Sequence, residues 1–164
     1  MPRLLACLLV SFMIAATARP ALAGTCQAEV DQLVKSNTTD LLNSVIEEKP
    51  ELADISEEQL VIQSGQILLG SPRGDLKAHG WMMLLWYGGE EGRNMVAESG
   101  PTLETEEARA HLYYVMGLWQ LRADDPETAA KGRELLSQVR DTGKVTFAPD
   151  EMWTMLLEEC DLPE

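Results

Sequence analysis

The chain has two histidines, and each follows a carboxylate by four positions: Asp75 precedes His79, and Glu107 precedes His111. That spacing sets acid and imidazole one turn apart on the same face of a helix. If the two helices lie side by side, two imidazoles and two carboxylates converge. Such a set suits a zinc-like divalent ion, or a cluster that gains charge as the histidines titrate near neutral pH. The alternative is two solvent-facing acid–histidine pairs, each contributing roughly a few tenths of a kcal/mol to its own helix.

Other routes to catalysis are poorly supplied. No Gly-x-Ser-x-Gly, His-Glu-x-x-His, phosphate loop or dinucleotide fingerprint occurs. Hydrolysis by a carboxylate pair, as in glycan cleavage, is chemically admissible, but among 27 acids no pair stands out. The reading is therefore a non-enzyme without a cofactor.

Aromatic side chains form a second group. Trp81, Trp86, Tyr87, Tyr113, Tyr114, Trp119 and Trp153 sit on three predicted helices. They cannot all share one apolar stripe, because Trp81 and Trp86, five residues apart, are separated by about 140° around a helix. Some must reach the surface, where Trp and Tyr are the usual anchors of protein interfaces. Trp81, Trp86, Tyr87, Tyr113, Tyr114 and Trp119 are the candidate partner-binding residues.

These side chains are positioned by a chain whose start reads as a targeting signal. Arg3 supplies a positive region, Leu4 to Thr17 is uncharged and apolar, and Ala21-Leu22-Ala23 fits the small-x-small cleavage rule. Residues 1–23 are read as a cleaved signal peptide and residues 24–164 as a single helical domain of a periplasmic or secreted protein. The apolar run is too short for the roughly 20 residues that span a bilayer as a helix, so no stable membrane insertion is expected after cleavage. Loss of Arg3 and Arg19 takes the formal charge from −14 to −16. An acidic surface of this strength repels nucleic acid and anionic lipid and steers towards a basic protein partner, or serves solubility alone. Cys7 leaves with the signal, and Cys26 and Cys160 remain to form a disulfide that closes nearly the whole domain.

Start and stop signals mark six to seven helices. An apolar stripe from Val30 to Ile46, ended by Pro50, makes one long helix or two short ones broken at Ser36–Thr39. Ser56-Glu57-Glu58-Gln59 is a capping box, and that helix runs to Gly70. Ser71-Pro72 opens a third, which Gly88-Gly89 stops; a short fourth covers Glu90 to Glu98. Thr105 caps a fifth to about Ala123, Asp125-Pro126 starts a sixth that ends near Gly143, and Pro149 opens the last. Only Lys144 to Phe147 is β-like, too little for a sheet, so the fold class is all-α, built from antiparallel hairpins and closed by one disulfide.

A shift of 32 residues aligns Lys77-Ala78-His79 with Arg109-Ala110-His111, Trp81 with Tyr113, and Tyr87 with Trp119. Tyr113, Met116, Gly117 and Ala129 resemble the tetratricopeptide pattern, and Asp125-Pro126-Glu127-Thr128-Ala129 is similar to its Sel1-like variant, over about residues 72–143. Leu85, Gly88 and Gln120 depart from it. The resemblance implies a short helical solenoid with a concave surface for a partner protein or peptide, and no catalysis. An ordinary helical bundle, whose helices look alike because each must bury one face, is the alternative. The function expected is an exported interaction module, an adaptor or an inhibitor, binding a partner through an acidic, aromatic-lined surface. Small-ligand or divalent-metal binding through Asp75, His79, Glu107 and His111 is the second possibility.

Overall fold

The computed structural model describes residues 23–99, 103, 105–146, 148 and 150–162. Residues 1–22, nearly all of the segment read as a targeting signal at residues 1–23, lie outside them, as do Gly100, Pro101, Phe147 and Pro149. Seven α-helices and no strand are found among the described residues: α1 Ala23–Glu48, α2 Glu57–Leu69, α3 Gly74–Tyr87, α4 Gly89–Ser99, α5 Glu106–Leu121, α6 Pro126–Thr142 and α7 Asp150–Glu159. The fold is all-α. Among the same residues, no helix is long and apolar enough to cross a membrane.

Most boundaries follow local chemistry. Ser56 accepts the Gln59 N–H at the start of α2, Thr105 accepts that of Ala108 before α5, and Asp125 accepts that of Thr128 before α6. Gly143 ends α6 in the left-handed region, at φ 61°, where glycine bears no side-chain penalty. Of the two readings of the first helix, one long helix holds: α1 runs unbroken through Ser36–Thr39, where Thr38 is buried and the Thr39 hydroxyl donates to the Lys35 carbonyl at 2.9 Å. One expectation is corrected. The third helix begins at Gly74 rather than Pro72, since the Ser71 hydroxyl accepts the Arg73 N–H at 3.2 Å, and Arg73 stands at the N-cap with no side-chain cap bond. A 3-10 turn at Pro50–Asp54, which the periodicity does not announce, buries Leu52.

The most extensive helix contacts are α5 with α6 and α2 with α3, and α3 then packs on both α4 and α5. The two hairpins share one design. A Cβ on Gly65 would strike the Leu84 side chain, and one on Gly117 the Leu136 side chain. A Cβ on Gly80 would approach the Gly65 carbonyl and Leu69 nitrogen, and one on Gly132 the Gly117 carbonyl and Leu121 nitrogen. Each pair of counterparts is 52 residues apart, as are the C-caps Gly70 and Arg122 and the N-caps Arg73 and Asp125. Glycine at both crossing points lets the backbones approach where any side chain would hold them apart. The 32-residue shift brings α3 onto α5, and their N-caps Arg73 and Thr105 obey it, but α3 pairs with the helix before it and α5 with the helix after it. The shift of 32 relates α3 to α5, and the shift of 52 relates the α2–α3 hairpin to the α5–α6 hairpin.

A main core joins Val30 and Val34 of α1 to Trp81, Leu84, Val115, Leu118, Leu136 and Leu156. A smaller cluster, Val61, Leu68 and Met83, is covered by Leu41 and Leu42 of α1. The Cys26–Cys160 disulfide ties α1 to the end of α7, with both cysteines buried.

Candidate functional site

Asp75, His79, Glu107 and His111 are brought near one another where α3 begins beside α5, but not as ligands. His111 is fully buried, and its Nε2 accepts the Thr146 backbone N–H at 3.4 Å. Its Nδ1 edge lies against Gly74, close enough that a Cβ there would sit 2.7 Å away. Asp75 is gripped by Arg73 through two hydrogen bonds of 3.1 and 2.5 Å. Among the described residues no three His, Cys, Asp or Glu side chains are placed to hold a metal ion. The metal reading is corrected, and so is the solvent-facing alternative for His111. Burial holds both histidines below the ordinary 6.5: for His79 against the attraction of Asp75 and with the help of His111, and for His111 against Glu107, Asp75 and the nearby backbone of Gly74 and Lys144. Both imidazoles are therefore neutral at pH 7, and His111 works as packing and as a backbone acceptor.

The six aromatic candidates separate into three kinds. Trp81 and Tyr114 are completely buried: the Trp81 indole N–H donates to the Ser99 hydroxyl at 2.8 Å, and the Tyr114 hydroxyl donates to the Met152 sulfur at 2.8 Å. These two are removed from the partner-binding set, because each satisfies its polar atom inside the core. Trp153 stacks edge-on to Tyr114 at 5.3 Å. Tyr87 and Tyr113 are exposed, at 37% and 48%. Tyr113 lines a shallow depression with Glu106, Arg109 and Gln138, crossed by the Lys144–Glu106 ion pair.

Trp86 and Trp119 are half-buried and meet edge to face, with centroids 5.0 Å apart. The Arg122 guanidinium lies over both rings, 4.8 Å from Trp119 and 5.7 Å from Trp86. Asp31 of α1 accepts two hydrogen bonds from Arg122, at 2.7 and 3.0 Å, and one from the Trp86 indole at 2.8 Å. Burial and the Asp31 charge raise the Tyr87 phenol, against Arg122. Arg122 is the C-cap of α5, and Trp86 sits one residue from the end of α3, so two helix ends and α1 build this patch together. Asp31 and Arg122 escape a sequence reading, since 91 residues separate them and neither belongs to a motif.

Trp119 also lines an apolar groove between α4 and α5, with Leu85, Val96, Leu112, Met116 and Arg93. Comparison with protein-family models, curated proteins and solved structures finds no match to this chain.

Proposed function

We propose that this chain is an exported, disulfide-closed interaction module that binds another protein at the junction of its two hairpins. The observation that carries the reading is the Trp86–Trp119–Arg122 stack, half-exposed beside Tyr87 and fastened by Asp31. Tryptophan, tyrosine and arginine dominate interface hot spots, because each combines a large rigid contact area with a polar handle. The stack is also held in place before any partner arrives, which lowers the entropy cost of binding. The net charge of −14 supplies long-range attraction for a basic partner. The tetratricopeptide-like resemblance over about residues 72–143 is kept as a reading of the segment from α3 to α6, which α1, α7 and the disulfide close off. Export is supported by the targeting segment read at residues 1–23 and by a buried disulfide, which persists in oxidising compartments.

The test is capture of a partner from an envelope extract by the disulfide-bonded chain, at low and then moderate salt, beside a Tyr87→Ala/Trp119→Ala variant. A stoichiometric partner that the variant fails to retain is expected. A basic enzyme whose binding falls with salt would assign the inhibitor role, and a salt-insensitive structural partner the adaptor role. Equal retention by the variant, or no stoichiometric partner, overturns the reading.

A further inference from the structure

Helices α4 and α5 both rest on α3 but barely touch one another. The gap is a groove of about 320 Å3, floored by Leu85 and walled by Val96 of α4 and by Leu112, Met116 and Trp119 of α5. One charged residue, Arg93, lines it, from the α4 side. Every other arginine among the described residues is engaged. Arg73, Arg122 and Arg140 bond carboxylates of Asp75, Asp31 and Asp141, and Arg109 and Arg133 bond the carbonyls of Leu103 and Cys160. Arg93 is exposed and makes neither a hydrogen bond nor an ion pair among the described residues, in a chain with 27 acids. Once a partner covers the groove and excludes water, a guanidinium beside its apolar walls binds a carboxylate more strongly than one surrounded by water, because the local dielectric is lower.

The geometry points to this groove as the seat of a helix from the partner protein, which lays a leucine- or phenylalanine-sized side chain between α4 and α5 and sets an aspartate or glutamate against Arg93. The inference rests on the interaction-module reading and names the partner's chemistry at that site. A helix fits better than a free amphiphile. The groove is open to solvent on one side, whereas small-molecule sites enclose most of their ligand; a helix brings its own cover and reads a groove through residues three and four apart. The net charge and Arg93 then divide the work. The acidic surface draws a partner that is basic overall, and Arg93 fixes the register of one acid within it.

A displayed library of helical peptides with one randomised face, selected on the full disulfide-bonded chain, tests this directly. Selected sequences should converge on a large apolar residue with Asp or Glu three or four positions away. Binding of a selected peptide, followed by fluorescence anisotropy, should weaken about tenfold or more with Arg93→Glu and with Met116→Lys. It should be unchanged by Lys131→Ala on the exposed face of α6, where Lys131 pairs with Glu127. Arg93 is exposed and has no partner among the described residues, so Arg93→Glu should melt like the parent, and selection on that variant should exchange the acid for Lys or Arg. Peptides that bind but ignore both Arg93→Glu and Met116→Lys, or that place a basic residue at the selected position, overturn the groove assignment while leaving an interaction module in place. An empty selection from a chain that still captures a whole protein does the same. An empty selection and an empty capture overturn both.

Discussion

The hairpins α2–α3 and α5–α6 cross through equivalent glycines and leucines, yet the same face of their second helices meets opposite surroundings. On α3, Ala78, Trp81, Met82 and Leu85 are buried in the main core with residues of α4 and α5. Their counterparts 52 residues later on α6 are Ala130, Arg133, Glu134 and Ser137, which line an open, shallow depression. Close approach within a hairpin and continuation beyond it are thus encoded separately. Small residues at the crossing permit the first, and the outward face of the second helix permits or forbids the next layer. A helix laid on this face of α6 would have to desolvate an arginine and a glutamate.

The first helices differ as well. Tyr114 of α5 is covered by Met152 and Trp153 of α7, whereas its counterpart Ile62 of α2 lies against Gly88, where α3 turns into α4. The disulfide holds α7 against the second hairpin and α1 against the first, but α7 has 10 residues and α1 has 26, so the cover of the second hairpin depends more on the clip. Cys160→Ser should therefore have the largest effect, about 3 to 5 kcal/mol by chemical denaturation for a closed loop of this length. Amide exchange should rise more in α5 and α6 than in α2 and α3. Equal loss of protection in both hairpins would show that the clip acts on the unfolded chain alone.

The crossings offer the next contrast. A Cβ at position 132 would lie 2.5 Å from the Leu121 nitrogen and 2.8 Å from the Gly117 carbonyl oxygen, backbone atoms that cannot step aside. At position 80 the nearest atoms are the Leu68 Cβ at 3.0 Å and the Gly65 oxygen at 3.1 Å. Gly132→Ala should cost about 3 kcal/mol and Gly80→Ala about 1 kcal/mol, read from urea midpoints. A reversed order would break the equivalence of the two crossings.

A smaller effect separates the N-caps. Asp125 accepts both the amide and the hydroxyl of Thr128, at 2.8 and 2.6 Å, while Arg73 offers α3 no cap. Asp125→Ala should lower the melting temperature by about 3 °C, and Arg73→Ala should change it by about 1 °C or less.

The last effect concerns pH. His111 is held below its ordinary value of 6.5, chiefly by burial, so the folded state favours the neutral ring. Its contribution is complete above the unfolded value and diminishes as pH falls through the folded one. A protonated Nε2 also cannot accept the Thr146 N–H. Wild-type protein should lose more stability than His111→Gln between pH 7.5 and 5, and identical slopes would remove His111 from the account.

Periodicity, caps and cysteine count carried far in this chain. Ser56, Thr105, Asp125 and Gly143 mark helix ends by bonds to neighbours three or four residues away, and the sequence alone contains everything such bonds need. The pairing of Cys26 with Cys160 was legible because only those two cysteines remain once a targeting segment is set aside. The candidate site was less legible. The acid–histidine spacing put Asp75, His79, Glu107 and His111 on matching turns, but whether a turn faces solvent, a neighbour or the 144–146 backbone depends on residues far along the chain. Trp81 and Tyr114 could not be told from Tyr87 and Tyr113 for the same reason, since an aromatic on a helix has one periodicity whether its face is covered or bare.

Local rules, then, set the helices, their ends, the acidic balance and the single bridge, because each depends on neighbours in sequence or on a count. Long-range packing set which helices pair, which aromatics are exposed, where Arg122 meets Asp31, and that Arg93 borders an apolar groove. Those outcomes come from burying apolar area between segments tens of residues apart, and the free energy of that burial is a property of the whole arrangement rather than of any one stretch of chain.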